Sequence, residues 1–205
     1  MRYARLVDCP WNARLALTTA PAAEPVSLDE QRLHSRVDAP EDNPYLAAAI
    51  TASRQWIEQY LGRQLITATW TMTLDEWPED GVIEIPRPPL LSVTSVKYLD
   101  VTRTQQTFAA AGYHEHKYVG PEAPMGRIEL ASGYAWPTTY DGEGVVEIVF
   151  SAGYGAATAV PVQIKQAIQI HAGEFYERRE QVIVGTISTP AAITVERLLW
   201  PLRVF

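Results

Sequence analysis

The residues best suited to chemistry are His114-Glu115-His116. Alternate positions on a β-strand share a face, so both imidazoles would stand on one side, as a zinc site requires. A catalytic zinc usually takes a third protein ligand and needs a general base nearby. The remaining histidines, His34 and His171, fall in segments of helical periodicity with no ligand spacing around them. The pair therefore reads either as a minimal metal site or as part of a solvated loop or edge strand. His171 lies on an apolar stripe and reads as a hydrogen-bonded core or interface histidine rather than a general base.

Other chemistry finds less support. There is no Gly-x-Ser-x-Gly elbow, and the glycine pairs lack a phosphate-loop lysine. Gly153-Tyr154-Gly155 lacks the third glycine and the βαβ setting of a nucleotide turn, so it reads as a strand-to-helix corner. Asp75-Glu76 and Glu79-Asp80 flank Trp77-Pro78 in an expected hairpin tip, where nothing desolvates either carboxylate; they read as a solvated turn rather than an acid/base pair. The single cysteine, Cys9, has no internal disulfide partner and no metal-ligand spacing around it. No catalytic residue, metal ligand or cofactor is assigned, and the chain is expected not to be an enzyme.

The elements that position these residues follow from periodicity. Residues 1–26, with Ala20-Pro21-Ala22-Ala23-Glu24-Pro25, read as an extended N-terminal arm. Ser27-Leu28-Asp29-Glu30 is a capping box, so a short helix is expected from Ser27 to about Val37. A second helix opens at Asn43-Pro44, where asparagine can cap and proline costs no hydrogen bond. Its Leu46, Ile50, Ser53, Ile57 and Leu61 share one face, and Gly62 supplies a left-handed stop. From Ile66 the period becomes two, with Ile66, Ala68, Trp70, Met72 and Leu74 opposite four threonines. Further strands are expected at 81–85, 93–101, 117–119, 127–130 and 145–150, punctuated by turns such as Pro86-Arg87-Pro88-Pro89. Pro161 opens a helix whose Ile164, Ala167, Ile168, His171 and Phe175 share a face. A last short helix carries Val195, Leu198, Leu199 and Leu202, and Pro201 must end or kink it. The expected fold is α+β: helices at both ends of the chain (27–65 and 151–205) enclosing an antiparallel β lobe (66–150).

Composition bounds the function. Of the 205 residues, 47% are hydrophobic and 20% charged, a globular profile with enough apolar material for one sizeable core. No run is long enough to span a bilayer, and the first residues show no secretion signal, so a cytoplasmic protein without a membrane partner is expected. The formal charge of -7 argues against general nucleic-acid binding. Six tryptophans and ten tyrosines are generous for this length. Trp77, Tyr134, Trp136 and Tyr140 could make the β lobe a carbohydrate- or protein-binding module. Arg178 and Arg179, between Glu177 and Glu180, read either as a solvated helix end or as a subunit contact. Leu198, Leu199, Trp200, Leu202, Val204 and Phe205 place six large apolar residues in the last eight positions. They either complete the core or insert into another chain.

The stretch Ala48-Ala49-Ile50-Thr51-Ala52-Ser53-Arg54-Gln55-Trp56-Ile57-Glu58-Gln59-Tyr60-Leu61-Gly62-Arg63-Gln64-Leu65 precedes Thr69-Trp70-Thr71. The return runs through Ala152-Gly153-Tyr154-Gly155, Val160-Pro161, Tyr176-Glu177-Arg178-Arg179-Glu180 and Leu198-Leu199-Trp200-Pro201-Leu202-Arg203-Val204. This order resembles the head-to-tail connector (adaptor) proteins of long-tailed bacteriophages and gene transfer agents, from about residue 27 to the end. The resemblance implies a structural virion protein without cofactor, assembled in the bacterial host cytoplasm and residing at the head–tail interface. It implies a homo-oligomeric ring, typically twelvefold, beneath a portal protein. The ring would extend a channel through which DNA passes without specific binding and receive a tail-proximal stopper or tail-terminator protein. By position, Leu198, Leu199, Trp200, Pro201, Leu202, Arg203, Val204 and Phe205 would grip the portal. The run Tyr176, Glu177, Arg178 and Arg179 is, from its residues, the candidate contact with the neighbouring subunit. The terminal segment is expected to be loosely packed in the free subunit. Outside this class stand the aromatic binding module and a metal-dependent hydrolase built on His114 and His116.

Overall fold

A computed structural model describes residues 13–177 and 191–204. Cys9, Arg178, Arg179 and Phe205 lie outside the described residues.

The chain is α+β. The described residues form four helices, α1 (Leu28–Ser35), α2 (Asn43–Leu61), α3 (Val162–Glu177) and α4 (Ala191–Leu199), and eight strands, of which one precedes α1 and seven lie between α2 and α3. The strands are β1 (Arg14–Thr19), β2 (Ala68–Leu74), β3 (Val82–Ile85), β4 (Leu90–Leu99), β5 (Gln105–Thr107), β6 (Tyr113–His116), β7 (Gly126–Leu130) and β8 (Val146–Ala152).

Local chemistry sets the helix boundaries. Ser27 Oγ accepts from the Glu30 amide at 3.2 Å, and Glu30 Oε2 accepts from the Ser27 amide at 2.7 Å, which is the expected capping box. Gly62 ends α2 at φ 67°, with its amide and that of Arg63 closing onto Gln59 and Glu58. The expected face of α2 is the buried one, with Leu46, Ile50, Ser53, Ile57 and Leu61 all inside.

All the strand pairs are antiparallel, in two sheets ordered β1-β2-β8-β4-β5 and β3-β7-β6. They close on one apolar core, in which Met72, Val96, Ile148 and Phe150 of the first sheet meet Ile83, Ile85 and Ile128 of the second. A second core joins Ile50, Ile57 and Leu61 of α2 to Ile164 and Ile168 of α3 and to Val195 and Leu199 of α4. Gly153, at φ 126°, lies where a Cβ would come within 2.7 Å of the Ile66 carbonyl carbon. Only glycine permits the sheet to pass so close to the chain entering it.

Three expectations change. Arg14–Thr19 is extended but not a free arm: it pairs with β2 as an edge strand, and Val26 is fully buried in the helical core. The strand expected at 117–119 is displaced to Tyr113–His116, since pairing with β7 in register outweighs local propensity and residues 119–124 carry a glycine and two prolines. The terminal segment is not loosely packed: Leu199 and Leu202 are buried in the helical core.

Candidate functional site

The side chains that sequence reasoning singles out for chemistry are paired with neighbours within the chain. His114 and His116 share the exposed face of β6, and His116 Nε2 lies 2.9 Å from Glu129 on the neighbouring strand. Among the described residues, no group of three or more His, Cys, Asp or Glu side chains could hold a metal ion. Asp75 accepts from Arg14 and from the Gly144 amide, both at 2.6 Å, and so ties the lobe tip to β1. Trp77 and Trp136 stack face to face at 4.3 Å with Phe108 against them, and Tyr140 lies under the Arg103 guanidinium. The two tryptophans thus use a ring face each on one another. His171 is stacked on Trp56 at 4.8 Å with Nδ1 3.1 Å from Ser53 Oγ, and burial holds its pKa below the usual histidine range.

The most constrained polar chemistry lies where α2 enters the β lobe. Arg54 donates to Glu24 at 2.7 Å and, one turn along the helix, to Glu58 at 2.8 Å. Glu58 also accepts from Gln64 Nε2 at 2.7 Å and from the Leu65 amide at 3.1 Å, while Gln64 Oε1 accepts from Trp70 Nε1 at 3.0 Å on β2. Arg54, Glu58 and Gln64 are all buried. Burial pushes the Glu58 carboxyl up, against the opposing pull of Arg54, the Leu65 amide and Arg87. Arg87, from the turn after β3, donates to the Glu58 carbonyl at 3.1 Å and lies 5.1 Å over the Trp70 ring. This chain of charge-assisted bonds runs from α2 into β2, so the helical and β parts are held by polar contacts as well as by packing.

Beside it lies Arg63, 2% exposed, whose guanidinium donates to the carbonyls of Leu202 and, at 2.6 Å, Ala123. The Val204 amide donates to the Leu61 carbonyl at 2.9 Å. Leu199 and Leu202 are buried in the helical core, Leu198, Arg203 and Val204 are half-buried, and Trp200 is 56% exposed beside exposed Pro201. The Arg203 guanidinium lies 5.1 Å over the Tyr60 ring. The expectation of a loose terminus fails because Pro201 does not release the chain. It shapes a 3-10 turn, Trp200–Leu202, that drops Leu202 into the core. Tyr176 is likewise engaged within the subunit, its hydroxyl 2.6 Å from Asp42 Oδ2, whereas Glu177 is exposed at the end of α3.

Sequence reasoning missed Arg54, Glu58, Arg63 and Gln64. Arg54 and Glu58 did carry a signal: opposite charges four residues apart, each next in sequence to a buried position of the apolar face.

No protein-family model matches the chain, and no curated protein matches it. Solved structures do, over nearly its whole length. A chain in a virion of a native gene transfer agent particle is 25% identical, with TM-score 0.77 and coverage of 93% of this chain and 95% of that one. A chain in the neck of the native particle, computed with C12 symmetry, is 26% identical at TM-score 0.70 over 94% and 96%. A chain in the neck of the empty particle, computed with C6 symmetry, shares the fold at 24% identity and TM-score 0.73, again over 94% and 96%. These structures agree with the head-to-tail connector resemblance read from the sequence.

Proposed function

We propose that this chain is a structural neck protein of a tailed phage or gene transfer agent particle: a connector that assembles as a ring beneath the portal, extends the DNA channel and joins the filled head to the tail. The observation that carries this reading is the whole-length likeness to a virion chain, at TM-score 0.77. Both neck structures were computed with cyclic symmetry, which supports a ring. The ring is twelvefold in the particle, with the portal on one face and a stopper or tail-terminator protein on the other. Its role is mechanical and not catalytic, at the head–tail interface of a virion assembled in the host cytoplasm. The helices of 27–65 and 151–205 form the ring wall, and 66–150 a lobe braced on it. The net charge of -7 suits a wall past which DNA slides.

The portal grip belongs to the exposed part of the terminal segment, with Leu199 and Leu202 serving as its anchor in the subunit. Trp200 is the side chain best placed for it, since a large aromatic that is 56% exposed in the subunit has area left to bury against a partner. A strain lacking the gene is expected to accumulate filled heads without tails, and the wild-type gene to restore tailed particles. Trp200→Asp should fail to restore them, lowering the yield at least tenfold, about 1.4 kcal/mol. Its melting temperature should stay within about 2 °C of wild type, as for other surface changes. Normal tail joining by Trp200→Asp would remove the grip from this residue.

A further inference from the structure

Three segments distant in sequence meet at one guanidinium. Arg63 follows the Gly62 cap, so the end of α2 fixes its backbone. Its side chain donates to Ala123, in the loop 117–124 between β6 and β7, and to Leu202, in the terminal 3-10 turn. Tyr154, from the glycine corner after β8, donates from its hydroxyl to the Pro121 carbonyl at 2.7 Å and closes the same loop from the other side. Among the described residues no carboxylate hydrogen-bonds this buried cation: two main-chain carbonyls of irregular segments accept from it, the Tyr154 hydroxyl lies beside it, and Glu122 attracts it from farther off. Burying a guanidinium on neutral acceptors is a costly way to stabilise a core, and an apolar side chain would do it at lower cost. What the guanidinium supplies is direction: a rigid planar fork orients both acceptors at once. Each of the segments it holds carries an exposed large apolar side chain, Val119 at 94% and Trp200 at 56%.

We propose that Arg63 is the positioning residue of the assembly surface: it locks the terminal turn and the loop 117–124 into one rigid unit, so that tail joining depends on it beyond its contribution to stability. The inference rests on the connector reading above. In the free subunit the turn is anchored by Leu202, by the Val204 amide, by Arg203 over the Tyr60 ring and by Arg63, which alone of these also holds the loop 117–124. Without the Arg63 guanidinium the other anchors keep the chain near its place but no longer fix the turn, with Trp200, against that loop. A partner binding such a loosened turn must order it again, which costs affinity.

The test compares three variants in the strain lacking the gene: Arg63→Met, Arg63→Lys, and a core control in the β lobe, Ile148→Val, or Ile148→Ala if needed to match the loss of melting temperature. Hydrogen exchange on each purified protein supplies a second readout. Arg63→Met is expected to speed exchange of the Val204 amide at least tenfold with the interior of α3 unchanged, and to lower the yield of tailed particles at least tenfold. Arg63→Lys, which keeps the charge but reaches one carbonyl at a time, should fall between it and wild type; should Arg63→Met not fold, Arg63→Lys alone must show both effects. The control should join tails as wild type does. Normal joining by the Arg63 variants, or an equal loss in the control, overturns the positioning role. If the wild-type gene itself makes no difference to tail joining, it is the connector reading that fails.

Discussion

Removing residues 200–205 is expected to lower the melting temperature of the isolated subunit by about 10 °C. The deletion takes Leu202, 3% exposed, out of the helical core, and burial lost with a cavity left behind costs about 3 kcal/mol for a leucine. It also strips Arg63 of one carbonyl and the Leu61 carbonyl of the Val204 amide, adding on the order of 1 kcal/mol. At this chain length about 4 kcal/mol corresponds to roughly 8–16 °C. A truncated protein melting within about 2 °C of the full chain would mean that the terminal turn contributes nothing to the core. Because truncation conflates folding with partner binding, the exposed Trp200 is the better probe of tail joining.

Arg54→Met should cost about 3–5 kcal/mol, measured by denaturant unfolding. The substitution keeps the apolar stem but leaves Glu58 buried with no bonded cation and Glu24 with the Thr51 hydroxyl in place of a charged partner. With Arg54 gone, burial raises the Glu58 carboxyl further, and a group whose folded pKa is raised adds stability only where it is protonated. That contribution is full below the carboxyl's unfolded pKa and lost as pH rises through the folded one. The deficit of Arg54→Met is therefore largest at about pH 7 and shrinks towards pH 5. Adding Glu58→Gln, which removes the charge and keeps an acceptor for the Leu65 amide, should recover part of the loss at neutral pH. A single variant within about 1 kcal/mol of wild type would contradict a coupled junction.

Where local signals suffice, the sequence is legible. The capping box at Ser27, the α2 face from Leu46 to Leu61, its Gly62 stop and the alternation of β2 are set by neighbours within a turn or two, and the structure has each of them. β5, three exposed residues, has no apolar alternation to announce it; its place comes from pairing with β4. The strand expected at 117–119 lies instead at Tyr113–His116 because its partner β7 is about a dozen residues on, and register with a partner is not written in one strand. The terminus fails for the same reason at longer range: Leu202 is held by Arg63, 139 residues earlier, and six apolar side chains look alike whether they fill their own core or another's. The buried charges at the junction were passed over because a charged residue on a helix is ordinarily solvated, and only Glu24 and Gln64 folding onto them make Arg54 and Glu58 interior.

Locating the chain in purified particles decides whether it is a neck protein. A cryo-EM reconstruction of particles carrying a tagged copy is expected to show a ring of this chain at the junction of head and tail, in contact with the portal through the turn at Trp200. Density for the chain in the head shell or along the tail, or particles that contain none of it, would overturn the neck assignment.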